Sequence, residues 1–291
     1  MTDSFGRVGL VANPDKASTR GVARRALRLV REAGREVRAD LVTADFARLD
    51  TATSPDIATL SRQCDLLLVL GGDGTMLRVA REAAGSRTPI FGVNLGTLGF
   101  LTTCAANQLT GTLGRLWTGQ CLVESRSLIE ARRRGTAARM IELALNDFVI
   151  SRGAVPRLIE LEVRVDGELL TSYRGDGLII SSPTGSTAYS LAAGGAVVSP
   201  QAEVFALTPI CPHTLSNRSV MVSLASTVEV HVRSERVETY LAADGQPRFQ
   251  LKAGDVMGFR RSRHTAQLVR LPGTSFFDTL RQKMNWSGSA G

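Results

Sequence analysis

Apolar residues follow two rhythms along this chain. In the first part, short unbroken apolar runs alternate with stretches of helical spacing. Arg7 to Ala12 is one such run, Val22, Ala26, Leu29 and Val30 share a helical face between Arg20 and Ala33, and Glu36 to Val42 returns to strand character. Asp65 to Leu70 is an apolar run of the kind expected for a central parallel strand covered on both faces. A glycine turn follows, then a helix-like segment from Met76 to Ala84 and another buried strand from Pro89 to Val93. This alternation predicts a βαβ-type half built on a parallel sheet. Between Thr43 and Gln63 the pattern lapses among Asp, Thr, Ser and Pro, which predicts a loose connection with about one helical turn.

From about Glu124 the rhythm shortens to alternation. Leu158 to Val165, with IELEVRV inside it, runs into Asp166-Gly167, a strong hairpin signal. Similar stretches recur at Leu143 to Ser151, Leu178 to Ser182, Val220 to Leu224, Val228 to Val232 and around Asp244-Gly245, so the second half is mainly β. Near the end Phe276 to Trp286, FFDTLRQKMNW, returns to helical spacing, and Ser287 to Gly291 reads as a frayed tail. No repeat period is visible.

With 291 residues and 43% hydrophobic content the chain can bury a large core, and its length suggests about two domains. No apolar run approaches the roughly 20 residues that span a bilayer, and MTDSFGRVGLVANPD lacks a charged start and apolar block, so a cytoplasmic protein with no membrane partner is expected. Cys64, Cys104, Cys121 and Cys211 are scattered without ligand spacing; neither a disulfide framework nor a zinc site is suggested, and all four read as small buried hydrophobes. The formal charge is +8, and lysine occurs only at 16, 252 and 283. The arginines are dispersed, and their densest groups, Arg132 to Arg134 and Arg260 to Arg263, carry no interleaved aromatics, which argues against a nucleic-acid partner. A positive surface equally draws in a polyanionic small molecule such as a nucleotide.

The candidate chemistry begins at LVLGGDGT, Leu68 to Thr75. Glycine-rich backbone brings amides close to phosphate oxygens, yet Asp73 stands in its middle. Two unit charges of like sign at ~4 Å repel by roughly 4 kcal/mol at an effective dielectric of ~20, so this aspartate needs a task other than binding phosphate. The plainer alternative is a tight turn at Gly71, Gly72 and Gly74 with Asp73 or Thr75 capping the next helix. Neither a G-x-x-x-x-G-K-[ST] loop nor a G-x-G-x-x-G fingerprint is present. NLGTLGF, Asn94 to Phe100, is equally a structural turn or a ligand-facing wall. In GDGLIISSPTGSTAYSLA, Gly175 to Ala192, a buried strand runs into Pro183 to Thr187, whose hydroxyls and amides can bond sugar and phosphate oxygens; a helix cap by Ser186 or Thr187 is the alternative. Asn146-Asp147 interrupts the apolar ALNDFVIS, where an amide and a carboxylate are costly unless partnered, either by a ligand or at a bulge or strand end. Asp244-Gly245-Gln246 reads as a hairpin turn.

Taken in order, GGDGTMLR, NLGTLGFL, ALNDFVI, DGLIISSPTGSTAYSLAAGG, PICPHTLSNRS and DGQ resemble the NAD kinase family over nearly the whole chain, and FFDTLRQKMNW is similar to the ending of bacterial members. The resemblance implies transfer of the γ-phosphoryl of ATP, or of a phosphoryl from inorganic polyphosphate, to the 2′-hydroxyl of the adenosine ribose of NAD, giving NADP. It implies a parallel-sheet α/β domain, a β-rich, sandwich-like domain, and a final helix returning to the first; the strand and helix pattern agrees, with boundaries at 1–122, 123–262 and 263–291. It makes Asp73 the proton acceptor and lays Gly74 against the dinucleotide, with Gly71, Gly72 and Thr75 completing the phosphate loop. It lines the dinucleotide site with Arg78, Arg157 and Arg174, gives it polar contacts from Asn146, Asp147, Asp176 and Gln246, and wraps the adenosine with Thr187, Ala188, Tyr189, Ser190, Leu191 and Ala192. The pair at 146 and 147 is more often Asn-Glu in the family, so Asp147 reaches one methylene less far. Mg²⁺ would travel on the donor's phosphates, with no metal cage from the protein, and a homodimer or homotetramer is expected. Within this resemblance, Asp73 orients the acceptor hydroxyl or takes its proton late, since a carboxylate is a weak base toward an alcohol. A lipid or sugar kinase of the same superfamily, and a nucleotide-sensing protein without catalysis, are the competing readings.

Overall fold

A computed structural model describes residues 5–96, 99–135, 141–214 and 218–286, which leaves Thr97 and Leu98 of NLGTLGF, Leu215 to Asn217, and the expected frayed tail outside the described residues. The chain divides into two compact units, Met1–Ser125 with Thr265–Gly291, and Arg126–His264. Among the described residues no helix is long and apolar enough to cross a membrane.

The first unit alternates strand and helix: β1 (Arg7–Ala12), α1 (Ser18–Glu32), β2 (Glu36–Asp40), α2 (Leu41–Ala47), β3 (Ala52–Ser54), α3 (Ile57–Gln63), β4 (Leu66–Leu70), α4 (Asp73–Glu82), β5 (Ile90–Asn94), β6 (Cys104–Ala105) and α5 (Leu109–Trp117). The strands pair in parallel in the order β3-β2-β1-β4-β5. Every residue of β4 and β5 is buried, as the unbroken apolar runs predict. Leu10, Leu68, Leu70 and Phe91 pack with Ala26 and Val30 of α1 and Leu113 and Leu116 of α5. Chain order reverses between β1 and β4, and ligands of such sheets collect beyond the strand ends at this reversal. The glycine loop leaves β4 there.

Thr43 to Gln63 is not a loose connection. It holds most of α2, all of β3 and all of α3. Both helices have seven residues, too few for helical periodicity to stand out, but each is capped by an aspartate: Asp40 accepts the Thr43 amide at 3.4 Å and Asp56 the Thr59 amide at 2.6 Å. The glycine-containing α5 also went unpredicted. Of the four cysteines, Cys64 and Cys104 are buried and Cys121 partly so, but Cys211 is exposed, because it stands in a turn just past a strand end.

The second unit is built from β7 (Leu122–Arg133), β8 (Ile141–Ala144), β9 (Asp147–Arg152), β10 (Ile159–Val165), β11 (Glu168–Gly175), β12 (Gly177–Ser181), a 3-10 turn (Thr184–Thr187), α6 (Tyr189–Ala192), β13 (Val204–Ile210), β14 (Val220–Ser223), β15 (Val228–Val232), β16 (Thr239–Ala243), β17 (Gln246–Leu251) and β18 (Val256–Arg270). The first residues of β7 and the last of β18 belong to the first unit. Strands β11-β10-β15-β18 form one antiparallel array, and β14-β13-β12-β9-β16-β17 another. Alternating residues of both, among them Phe148, Ile150 and Ile180 from one and Leu161, Val230 and Phe259 from the other, make one core. At its centre the Phe148 and Phe259 rings lie 5.4 Å apart. Both Asp-Gly pairs form hairpin turns with positive φ at each residue, 51° and 87° at Asp166-Gly167 and 48° and 73° at Asp244-Gly245. Leu143 to Ser151 departs from expectation: the strand breaks at Leu145-Asn146, dividing β8 from β9.

The last helix, α7 (Phe276–Lys283), starts at a Ser275–Asp278 capping box, and within the first unit Phe276 packs its ring 6.2 Å from that of Phe100. Phe259→Ala is expected to destabilise the protein by about 3–5 kcal/mol, read as a lower urea midpoint with native secondary structure retained in buffer.

Candidate active site

In the first unit the site starts where β4 ends. Gly72 is the N-cap of α4 and no side chain caps the helix, so the capping alternative for Asp73 and Thr75 does not hold. Asp73 instead reaches to the second loop: one carboxylate oxygen accepts the Phe100 amide at 2.8 Å and the other the Leu101 amide at 3.2 Å. The fit is close enough that a Cβ on Gly99 would lie 1.9 Å from the Asp73 carboxylate. That loop is braced from behind, because buried Asn94 donates to Thr102 at 3.0 Å and Thr102 accepts the Gly99 amide at 3.2 Å. The described part of NLGTLGF therefore has a structural role, its Phe100 amide helping to fix Asp73.

The loop glycines divide by environment. Thr75 is buried with its side chain beneath Gly71, where a Cβ would come within 2.3 Å of the threonine hydroxyl. A Cβ on Gly72 or Gly74 would meet nothing within 4 Å. The fold does not demand glycine at those two positions, and the open backbone lies at the positive end of the α4 dipole, where anions are favoured. Arg78 stands half-buried on the same helix. Burial pushes the Asp40 carboxyl up, opposed by hydrogen bonds from Thr43 and by the Arg78 charge.

The second unit carries a separate polar cluster. Asp244, legible in the sequence only as a hairpin turn, is also a clamp. Its carboxylate accepts the amides of Asn146 at 2.7 Å, Leu145 at 3.1 Å and Asp147 at 3.2 Å, while its own amide donates to the Asp147 carbonyl at 2.9 Å. The Asn146-Asp147 interruption is thus a strand end whose backbone amides, rather than its two side chains, are held by Asp244. Asp147 is only 4% exposed; burial, and secondarily the Asp244 charge, pushes its carboxyl up to about 7. The Pro183 to Thr187 turn presses on the same backbone, since a Cβ on Gly185 would lie 2.2 Å from the Asn146 carbonyl oxygen.

Several hydroxyls of this block face inward. Ser182 donates to the Leu145 carbonyl at 2.5 Å, Ser186 donates to the Pro183 carbonyl at 2.8 Å and accepts the Val198 amide at 2.9 Å, and Ser190 bonds Thr208 at 2.9 Å. Thr187, Ala188, Tyr189, Leu191 and Ala192 keep exposed surface, Tyr189 to 47%. Arg157, Arg174 and Gln246 are exposed. Asp176 is ion-paired with Arg152 at 2.6 Å, a partner with no signal in the motifs. Along the β9–β12 ladder Ser181 pairs with Asp147 and Gly177 with Ser151, so Asp176 and Asp147 lie at opposite ends, about 17 Å apart at ~3.3 Å per residue.

Residues 8–121 match the ATP-NAD kinase N-terminal domain and residues 145–271 the ATP-NAD kinase C-terminal domain. The chain belongs to the NAD kinase family. The NAD kinase of Syntrophotalea carbinolica is 39% identical over 96% of this chain and 98% of its own length, and that of Thiobacillus denitrificans is 38% identical over 98% and 99%. Among solved structures, yeast NADH kinase complexed with NADH covers all of this chain and 90% of its own at TM-score 0.88 and 26% identity. An NAD kinase from Archaeoglobus fulgidus in complex with ATP covers 97% of this chain and 100% of its own at TM-score 0.75, also at 26% identity.

For this NAD kinase family member, Gly74→Ala is expected to leave stability unchanged or raise it by up to about 1 kcal/mol in thermal unfolding, while turnover falls about 10- to 100-fold. Asp244→Ala strips three amides of their acceptor and should destabilise the second unit by about 2–4 kcal/mol, measured by urea unfolding, with weaker NAD binding.

Proposed function

We propose that this protein transfers a phosphoryl group from ATP or inorganic polyphosphate to the 2′-hydroxyl of the adenosine ribose of NAD, releasing NADP. The observation that carries the reading is the Asp73 carboxylate, fixed by two loop amides beside open glycine backbone at the start of α4. A carboxylate that accepts one amide per oxygen retains further acceptor capacity on each. One such position receives the ribose hydroxyl and sets its line of attack, while the glycine amides and the helix dipole hold the anionic donor. Because phosphoryl transfer is loose, orienting the acceptor contributes as much as removing its proton, which leaves late to Asp73.

Support for a dinucleotide over a lipid or sugar acceptor comes from two polar clusters at opposite ends of one ladder, a spacing that suits an extended molecule with two sugars. The relatives solved with NADH and with ATP are consistent with both substrates. Among the described residues there is no group of three or more His, Cys, Asp or Glu that could hold a metal ion. In this reading the divalent metal belongs to the donor's phosphates and their waters, and no side chain is assigned to it. A cytoplasmic homodimer or homotetramer completes the reading, and sedimentation velocity tests the assembly.

The test combines ATP, Mg²⁺ and NAD with purified protein and detects product with a dehydrogenase that accepts only NADP. Asp73→Asn is expected to cut turnover by about 10²- to 10⁴-fold while NAD affinity stays near wild type. Near-normal turnover in that variant refutes the role of Asp73, and absence of NADP from the wild-type protein with either donor refutes the activity.

A further inference from the structure

Asp176 stands between two glycines, and each is pressed against a neighbouring strand. A Cβ on Gly175 would lie 2.8 Å from the Ile210 carbonyl oxygen of β13, and one on Gly177 would lie 2.4 Å from the Ile150 carbonyl oxygen of β9. The Asp176 amide donates to the Ile210 carbonyl at 2.9 Å and its carbonyl accepts the Arg152 amide at 3.0 Å, so the backbone is fixed from both sides. One carboxylate oxygen accepts the Arg152 Nε–H at 2.6 Å, and among the described residues no other hydrogen bond reaches the carboxylate. Arg152 is steadied in turn by donating to the Gly153 and Val155 carbonyls, each at 3.3 Å. The Arg152 and Asp176 side chains keep 27% and 31% of their surface, so the pair meets a ligand as one unit without net charge.

The block from Thr187 to Ala192, which the family resemblance lays around the adenosine, follows the Ser181 end of β12, and Asp176 lies at the other end of that strand. In the dinucleotide reading above, on which this inference rests, the second nucleoside falls at the ion pair. We propose that Arg152, by cancelling the charge of Asp176 where the nicotinamide ring binds, sets the relative affinity of the protein for NAD and NADH. Arg152 acts through Asp176 and is a positioning residue. The two ligands differ only at that ring, which is a cation in NAD and neutral in NADH. A bare carboxylate attracts the cationic ring and is indifferent to the neutral one, whereas a bare guanidinium repels the cation. The intact pair does neither. Other charges close by, Arg174 and Glu238 among them, are common to every variant and drop out of the comparison.

Calorimetric titration of the full-length protein with NAD and with NADH, without a phosphoryl donor and at one pH, tests this through the ratio of the two dissociation constants. Arg152→Gln is expected to shift that ratio about three- to tenfold toward NAD, and Asp176→Asn, which leaves the guanidinium bare, by a similar factor toward NADH. Arg152→Lys keeps the charge and should stay near the wild-type ratio, as should the double variant Arg152→Gln with Asp176→Asn. Added salt should shrink both shifts. A purely structural role for the pair weakens both ligands together and leaves the ratio alone. An unchanged ratio in folded Arg152→Gln, or shifts of the same sign in the two single variants, overturns the inference. Should Arg152→Gln fail to fold, Asp176→Asn decides, and the absence of a shift toward NADH overturns it. Failure of the wild-type protein to bind either dinucleotide overturns the dinucleotide reading and this inference with it, whereas binding with a ratio indifferent to the pair overturns only the inference.

Discussion

Carboxylates that accept backbone amides fix the loops of both units. In the first, Asp73 ties the start of α4 to the loop after β5; in the second, Asp244 ties a hairpin turn to the strand end at 145–147. An ionised acceptor makes stronger hydrogen bonds than a neutral one, and backbone donors cannot swing away as arginine or lysine side chains do. The arrangement holds a carboxylate beside the glycine loop through two backbone amides. The amides of Phe100 and Leu101 that bond Asp73 are neutral peptide groups with little freedom to move.

Glycine serves this construction in two distinct ways. At Gly99 and Gly185 a side chain would collide with the carboxylate or the carbonyl that organises the loop. At Gly72 and Gly74 a Cβ would meet nothing within 4 Å among the described residues, so packing there does not require glycine. Sequence alone presents these glycines as equivalent.

Much of the architecture was legible because its signals are strong. The runs of β4 and β5 announced buried parallel strands, the alternation of β10 announced a half-buried one, and two Asp-Gly pairs marked their hairpins correctly. Short helices escaped, since seven residues make barely two turns and the amphipathic pattern cannot repeat. The motif-bearing loops could be located, but the direction of each side chain could not. Ser190 faces inward to Thr208 while neighbouring Tyr189 faces out, and Asp176 has taken Arg152 as its partner. Such contacts join residues distant in sequence, and residue type does not encode them. Asp244 shows the limit best: its local signal was correct as a turn and silent about the amides around residue 146.

That double duty has a consequence for anyone redesigning the protein. Judged by hairpin preference alone, Asn-Gly is as good a choice as Asp-Gly for the β16–β17 connection. An asparagine, however, has one acceptor oxygen and an NH₂ that cannot accept, whereas Asp244 uses both oxygens on three amides. A consensus or library search that scores each loop in isolation would admit this exchange as silent, and the resulting hairpin would close normally beside a loosened strand end at residues 145–147.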